Sequence, residues 1–197
     1  IITNIAPAHL EGFGSIETIA YEKGALFRSL DKGISFVNKA DKLVSKIQFS
    51  GKRITYGLSP DCDFPVDICH EDDSSLTLVI DSNVIPTSSH NLSFIKNCVA
   101  VSAISISLGV KLQDLRSRIQ TFSAPKGRCF VKQIKDITII DDTYNANLTS
   151  SLAALDYLSA FSGSGRKIFV FGDMYELGPT TDKPVSYTHL RAHETAV

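Results

Sequence analysis

The stretch ITIIDDTYNANLTSSLAALDYLSAFSGSGRKIFVF, Ile137 to Phe171, decides how the chain is read. Ile137–Asp141 is an apolar run of strand length that ends on two acidic residues, and Lys167–Phe171 is another. Between them, from about Thr149 to Ala160, Leu and Ala recur at helical spacing, and a Gly/Ser loop (Ser162–Gly165) follows. With Cys129–Ile134 as a preceding strand, this order predicts a βαβ unit of a parallel sheet, and hence an α/β protein. Ligands of such sheets bind beyond the carboxyl ends of the strands. DDTYNANLTSS (Asp141–Ser151) and FGDMYELG (Phe171–Gly178) are therefore candidate binding loops. A carboxylate in the first can accept hydrogen bonds from ribose hydroxyls, and Asn145 and Asn147 can bind or cap; a plain capping loop with Thr149 or Ser150 as N-cap is the alternative. In the second, Gly172 and Asp173 read either as a close approach to a ligand or as an ordinary βα turn.

Upstream, Ala124-Pro125-Lys126-Gly127 interrupts the pattern just after an amphipathic helix carrying Leu112, Leu115, Ile119 and Phe122, and reads as a hinge that divides the chain near residue 124. Lys126 and Arg128 at that hinge suit either phosphate neutralisation or a solvated linker. Before it lie a helix from about Phe94 to Leu108 and strand-like runs at Ile1–Asn4, Ile34–Val37, Arg53–Tyr56, Val66–His70, Leu76–Ile80 and Asn83–Ile85. Ser15 is the expected cap of a helix reaching about Leu30, with Ile16, Ile19, Ala20 and Phe27 on its apolar face. Lys23 falls on the same face. It reads either as a lysine whose stem lies along apolar surface with its head in water, or as a desolvated amine able to react or be carboxylated. His9, in the turn NIAPAHLEGFGS (Asn4–Ser15), is a candidate metal ligand.

Composition bounds the function classes. The 197 residues hold 20 Lys+Arg against 21 Asp+Glu and are 43% hydrophobic. That balance fits a globular core and disfavours a disordered chain or a nucleic-acid-binding surface. No run approaches the apolar length of a membrane span. The four cysteines show no Cys-x-x-Cys pair, which reads as reduced, structural and cytoplasmic. An opening at Ile1, with no basic n-region, reads as a fragment rather than a secreted start.

TNIAPAHLEGFGS (Thr3–Ser15), EKGALF (Glu22–Phe27), PKGR (Pro125–Arg128), DDTYNAN (Asp141–Asn147) and VFGDMYELG (Val170–Gly178), in this order and spacing, resemble the Mur ligase family. Within it they are most similar to members that add D-alanyl-D-alanine to UDP-N-acetylmuramoyl-tripeptide. The resemblance implies the back part of a Mur-type central ATPase domain (residues 1–124) and the first part of a Rossmann-like C-terminal domain (125–179). It implies ATP and Mg2+ as cofactors and an acyl-phosphate route to the amide. By the same resemblance His9 and Lys23 hold the magnesium ion, with Lys23 carbamoylated by CO2. Asn97 begins an adenine-contacting helix, Arg128 lies near the ATP phosphates, Asp142 binds ribose, and Tyr144, Asn145 and Asn147 belong to the same nucleotide-contacting loop.

Three features depart from that pattern. No Gly-x-x-x-x-Gly-Lys-Ser/Thr loop occurs, so the resemblance places it, with the UDP-sugar domain, ahead of Ile1. Ser93 and Phe94 stand where the family has His-Asn, while His90-Asn91 lies three residues earlier. After Gly178 no further match is found, and residues 180–197 read as a disordered or non-native tail. A nucleotide-binding module without catalysis and a sister amino-acid ligase are the alternative readings.

Overall fold

The computed structural model describes residues 1–7, 10–72, 75–161, 165–172 and 174. A single turn, Leu10–Phe13 (α1), precedes the helix Ile16–Arg28 (α2). The chain forms two compact units, one from Ile1–Pro7 and Phe13–Thr121, the other from the remaining described residues.

In the first unit Ile34–Asn38 (β1) and Lys52–Gly57 (β2) pair in parallel, and Phe64–Pro65 (β3) extends the sheet beside β2. Ser35, Phe36 and Val37 are buried in succession, as expected of a parallel strand covered on both faces. The strand expected at Ile1–Asn4 is present as one parallel bridge, Ile2 to Val37. Between β1 and β2 lies Lys42–Lys46 (α3), too short for periodicity to reveal. Its start is set by Asp41, whose Oδ1 accepts from the Leu43 and Val44 amides at 2.9 Å each.

Asp67–His70 (β4), Leu76–Ile80 (β5) and Asn83–Ser89 (β6) form an antiparallel meander. The β5–β6 turn places both Asp81 and Ser82 in the left-handed region, at φ +47° and +65°. Leu92–Ser107 (α4) packs on β1, β2, β5 and β6, and Leu112–Thr121 (α5) packs on β6 and α4. The core they enclose centres on Leu78, Ile80, Ile85, Ile95, Ala103 and Leu115. Burying each larger aliphatic side chain contributes about 1.5–3 kcal/mol, so this layer is what holds the first unit together.

In the second unit Phe130–Ile134 (β7) and Ile137–Asp141 (β8) pair, and Leu148–Ala160 (α6) buries Ser151, Leu155 and Tyr157. Here the expected parallel βαβ unit is corrected. β7 and β8 are an antiparallel hairpin, tightened by Lys135 at φ +55°, and Lys167–Phe171 pairs with no strand among the described residues. The Phe169 and Phe171 rings stack with centroids 5.7 Å apart. Ile168 is 62% and Val170 89% exposed, and no strand among the described residues pairs with the run. Periodicity reports which way side chains alternate, whereas a strand is defined by the backbone it pairs with. Parallel pairing occurs instead in the first unit, between β1 and β2.

Candidate functional site

α2 begins at Ser15, whose Oγ accepts from the Thr18 amide at 3.1 Å, as the sequence predicts. Its buried contacts are Ile19, Gly24 and Phe27. A Cβ on Gly24 would make ordinary contact with Ile47 at 3.4 Å and would press on the Arg28 guanidinium at 2.7 Å. At Lys23 the structure decides between the two readings. At about 100° per residue it does fall between Ile19 and Phe27, yet its side chain is exposed. At that level the helix faces the backbone of Ile1–Asn4 across an open depression of about 430 Å³, lined also by Thr3, Asn4, Glu22 and Leu26. The amine reaches the Asn4 carbonyl at 3.4 Å. Of the two readings of Lys23, the structure therefore favours the lysine whose head lies in water over the desolvated amine.

The donors around this depression fit a hard divalent cation in kind. Thr3, Asn4 and Glu22 carry oxygen ligands, and no nitrogen or sulfur set competes. An ammonium at Lys23 repels such an ion, whereas a carbamate on the same nitrogen supplies two hard oxygens. Among the described residues no group of three or more His, Cys, Asp or Glu forms a ready metal site. His9, the other expected ligand, lies outside the described residues.

The second cluster is built by the hairpin. Because β7 and β8 run antiparallel, the turn before β7 and the loop after β8 meet at one end, where Phe130 pairs with Asp141. The Tyr144 amide donates to the Gly127 carbonyl at 3.0 Å, and the Arg128 guanidinium lies 3.9 Å over the Tyr144 ring. Gly127, at φ +76°, is needed twice over: a Cβ there would lie 3.2 Å from the Tyr144 nitrogen. Asp142 Oδ1 accepts from the Cys129 amide at 3.0 Å, which fixes the carboxylate, and Thr143 donates to Asp141 and holds that carboxyl below the usual range. PKGR and DDTYNAN, read separately in the sequence, are thus one interlocked surface carrying an exposed cation, an exposed ring and two carboxylates.

Two members of that loop turn inward to their own backbone. Asn145 Oδ1 accepts from the Ala146 amide at 2.9 Å. Asn147, rather than Thr149 or Ser150, is the N-cap of α6: its Oδ1 accepts from Ser150, whose hydroxyl in turn accepts from the Asn147 amide, each at 2.9 Å. Asn97 is also corrected. It does not begin a helix but sits exposed inside α4, which starts six residues earlier at the buried cap Asn91. Asn91 accepts from Ser93 and Phe94 at 2.9 and 3.2 Å, a role the Asn-x-x start pattern could have revealed. Of the second candidate loop only Phe171, Gly172 and Met174 are described, and Met174 is buried against Ser151 at 3.9 Å. The expectation for residues 180–197 lies outside the described residues.

Comparison with known proteins places these features in a family. The Mur ligase middle domain matches residues 1–104, and the Mur ligase glutamate ligase domain matches residues 127–193, so similarity runs beyond Gly178 into the stretch read from sequence as unmatched. The UDP-N-acetylmuramoyl-tripeptide--D-alanyl-D-alanine ligase of Haemophilus influenzae is 34% identical over 90% of this chain and 40% of its own length. The enzyme of the same name from Escherichia coli is 30% identical over 92% of the chain and 42% of its own. A crystal structure of MurF from Acinetobacter baumannii superposes with a TM-score of 0.83 at 28% identity, covering 95% of this chain and 42% of that one. The chain thus spans about two-fifths of the length of the curated relatives it matches. With the middle-domain match alone covering more than half of its residues, the chain belongs to the Mur ligase family.

Proposed function

We propose that the protein is an ATP-dependent ligase that joins D-alanyl-D-alanine to UDP-N-acetylmuramoyl-tripeptide in the cytoplasm, a step of peptidoglycan precursor synthesis. The observation that carries this reading is that relatives of that name match both units in order. The exposed Arg128 and the fixed Asp142, brought to one end of the hairpin, support a nucleotide-facing surface.

In the proposed reaction the tripeptide carboxylate takes the γ-phosphoryl group of ATP, releasing ADP. The D-alanyl-D-alanine amine then attacks the acyl carbon, and phosphate leaves. Arg128 offsets charge on the phosphate oxygens, and its stacking on Tyr144 holds the guanidinium in place before substrate arrives. Asp142, with Oδ1 engaged by the Cys129 amide, presents its carboxylate to ribose hydroxyls. His9 and carbamoylated Lys23 would hold Mg2+, which when bound neutralises phosphate oxygens during transfer. The Lys23 amine is open to solvent, so CO2 has access to the nitrogen that must add to it. Asn97 and Asn145 remain candidates for polar contacts to the nucleotide from their exposed positions.

Phosphate release by the full-length protein, assayed with UDP-N-acetylmuramoyl-tripeptide and ATP, is expected only when D-alanyl-D-alanine is also present. Release that responds to a single amino acid instead would move the protein to a sister ligase. ATP binding without any release would make it a nucleotide-binding module.

A further inference from the structure

The segment Thr3–Ile5, whose first two residues line the Lys23 depression, has almost no backbone partners among the described residues. Ile2 makes one isolated bridge to Val37, and no ladder continues it through the next three residues. Polar backbone groups in such a segment must be satisfied by other means. Two side chains from the turn between β1 and α3 meet this need. Asn38 Nδ2 donates to the Thr3 carbonyl at 2.8 Å, and the Ile5 amide donates to Asp41 Oδ2 at 2.7 Å. Between these two anchors lies Asn4, whose carbonyl receives the Lys23 amine.

Both anchors are themselves held. The Ala40 amide donates to Asn38 Oδ1 at 3.1 Å, which turns the Asn38 NH2 group toward Thr3. Asp41 divides its carboxylate: Oδ1 caps α3 through Leu43 and Val44, and Oδ2 is left for Ile5. A single carboxylate therefore ties the start of α3 to the segment beside Lys23. From this arrangement we infer that Asn38 and Asp41 are positioning residues for the Lys23 site, holding Thr3–Ile5 so that the Asn4 carbonyl and the Lys23 nitrogen stay in register. The inference rests on the proposed metal-holding role of Lys23 for its functional consequence, and on geometry alone for the tether.

The division of labour within Asp41 gives a selective test. Asp41→Asn keeps an oxygen to cap α3, because asparagine caps as well as aspartate, but presents an NH2 group to the Ile5 amide in place of an acceptor. Hydrogen exchange in the 197-residue chain should show the Ile5 amide exchanging at least about tenfold faster in Asp41→Asn, with Leu43 and Val44 keeping their protection. Asn38→Ala, which leaves Asp41 untouched, should loosen the same segment. In the full-length protein Asp41→Asn should raise the KM for Mg2+ about tenfold or more with a smaller effect on kcat, the size expected when a supporting contact to a metal site is lost. Unchanged Ile5 exchange in both variants would overturn the tether. Faster Ile5 exchange with an unaltered Mg2+ KM, in a protein whose wild type is active, would overturn the positioning role. A wild-type protein with no Mg2+-dependent phosphate release would overturn the proposed function instead, while the exchange result would still decide the tether.

Discussion

Tyr56, next to last in β2, buries its hydroxyl without a hydrogen-bond partner among the described residues, and Ser35 and Thr77 share that condition. Burial, reinforced by the nearby Asp41 carboxylate, pushes the Tyr56 phenol from 10.0 up to about 12. The folded form therefore holds its proton more tightly than the unfolded one. That contribution is complete below pH 10 and is lost as pH rises toward about 12. Tyr56→Phe should accordingly be neutral or stabilising by about 1 kcal/mol at pH 7, since an unpaired buried hydroxyl is removed, and should flatten the loss of stability above pH 10. Urea titrations at pH 7 and pH 11 would measure both effects, and a loss of more than about 2 kcal/mol at pH 7 would show that the hydroxyl has a partner after all. At Lys23 the expectation concerns chemistry rather than stability. Lys23→Ala in the full-length protein should lower phosphate release about a hundredfold or more, with partial recovery on adding short carboxylates, which replace the lost carbamate oxygens. Full activity in the variant would remove the carbamate role. Because Lys23 is exposed, its thermal midpoint should stay near that of the wild type.

Elements here are delimited by single polar side chains, and the consequences are measurable. Asn147 and Ser150 satisfy each other's amides at the start of α6, the helix that follows the Asp141–Ala146 loop. Asn147→Ala should cost about 1 kcal/mol in chemical denaturation and release the Asp141–Ala146 loop that leads into the helix. A variant as stable as the parent would mean that the capping contacts are replaced by water at no cost. At the β5–β6 turn, Asp81 and Ser82 occupy the left-handed region without the freedom of glycine, and Asn83 steadies the turn by donating to the carbonyls of Ile80 and Asp81. Ser82→Gly turns the pair into Asp-Gly, suited to this two-residue hairpin, and should raise stability by about 0.5–1 kcal/mol. Differential scanning calorimetry would read the shift; a lower midpoint would mean that the added unfolded-state freedom of glycine outweighs the relief of strain.

At the scale of the whole molecule, the composition and the helix caps carried far. Ser15 caps α2 as its type and spacing indicate, and β5 and β8 match the runs Leu76–Ile80 and Ile137–Asp141 residue for residue. No described helix is long and apolar enough to cross a membrane. Two readings failed for one physical reason. Lys23 has the helical position expected of it, and Lys167–Phe171 is an apolar run of strand length, but what faces each of them is decided by other parts of the chain. Local periodicity is a property of a segment, while burial and pairing are properties of its neighbours. The sequence by itself determined the family and most of the longer strand and helix segments, because these reside in side-chain chemistry and spacing. Only the tertiary structure decided that PKGR and DDTYNAN are one surface and that Asn38 and Asp41 hold the segment beside Lys23. Each of those facts is a contact between residues distant in sequence, or a choice among competing hydrogen-bond partners. Their geometry is set by chain reversal and packing rather than by any local preference.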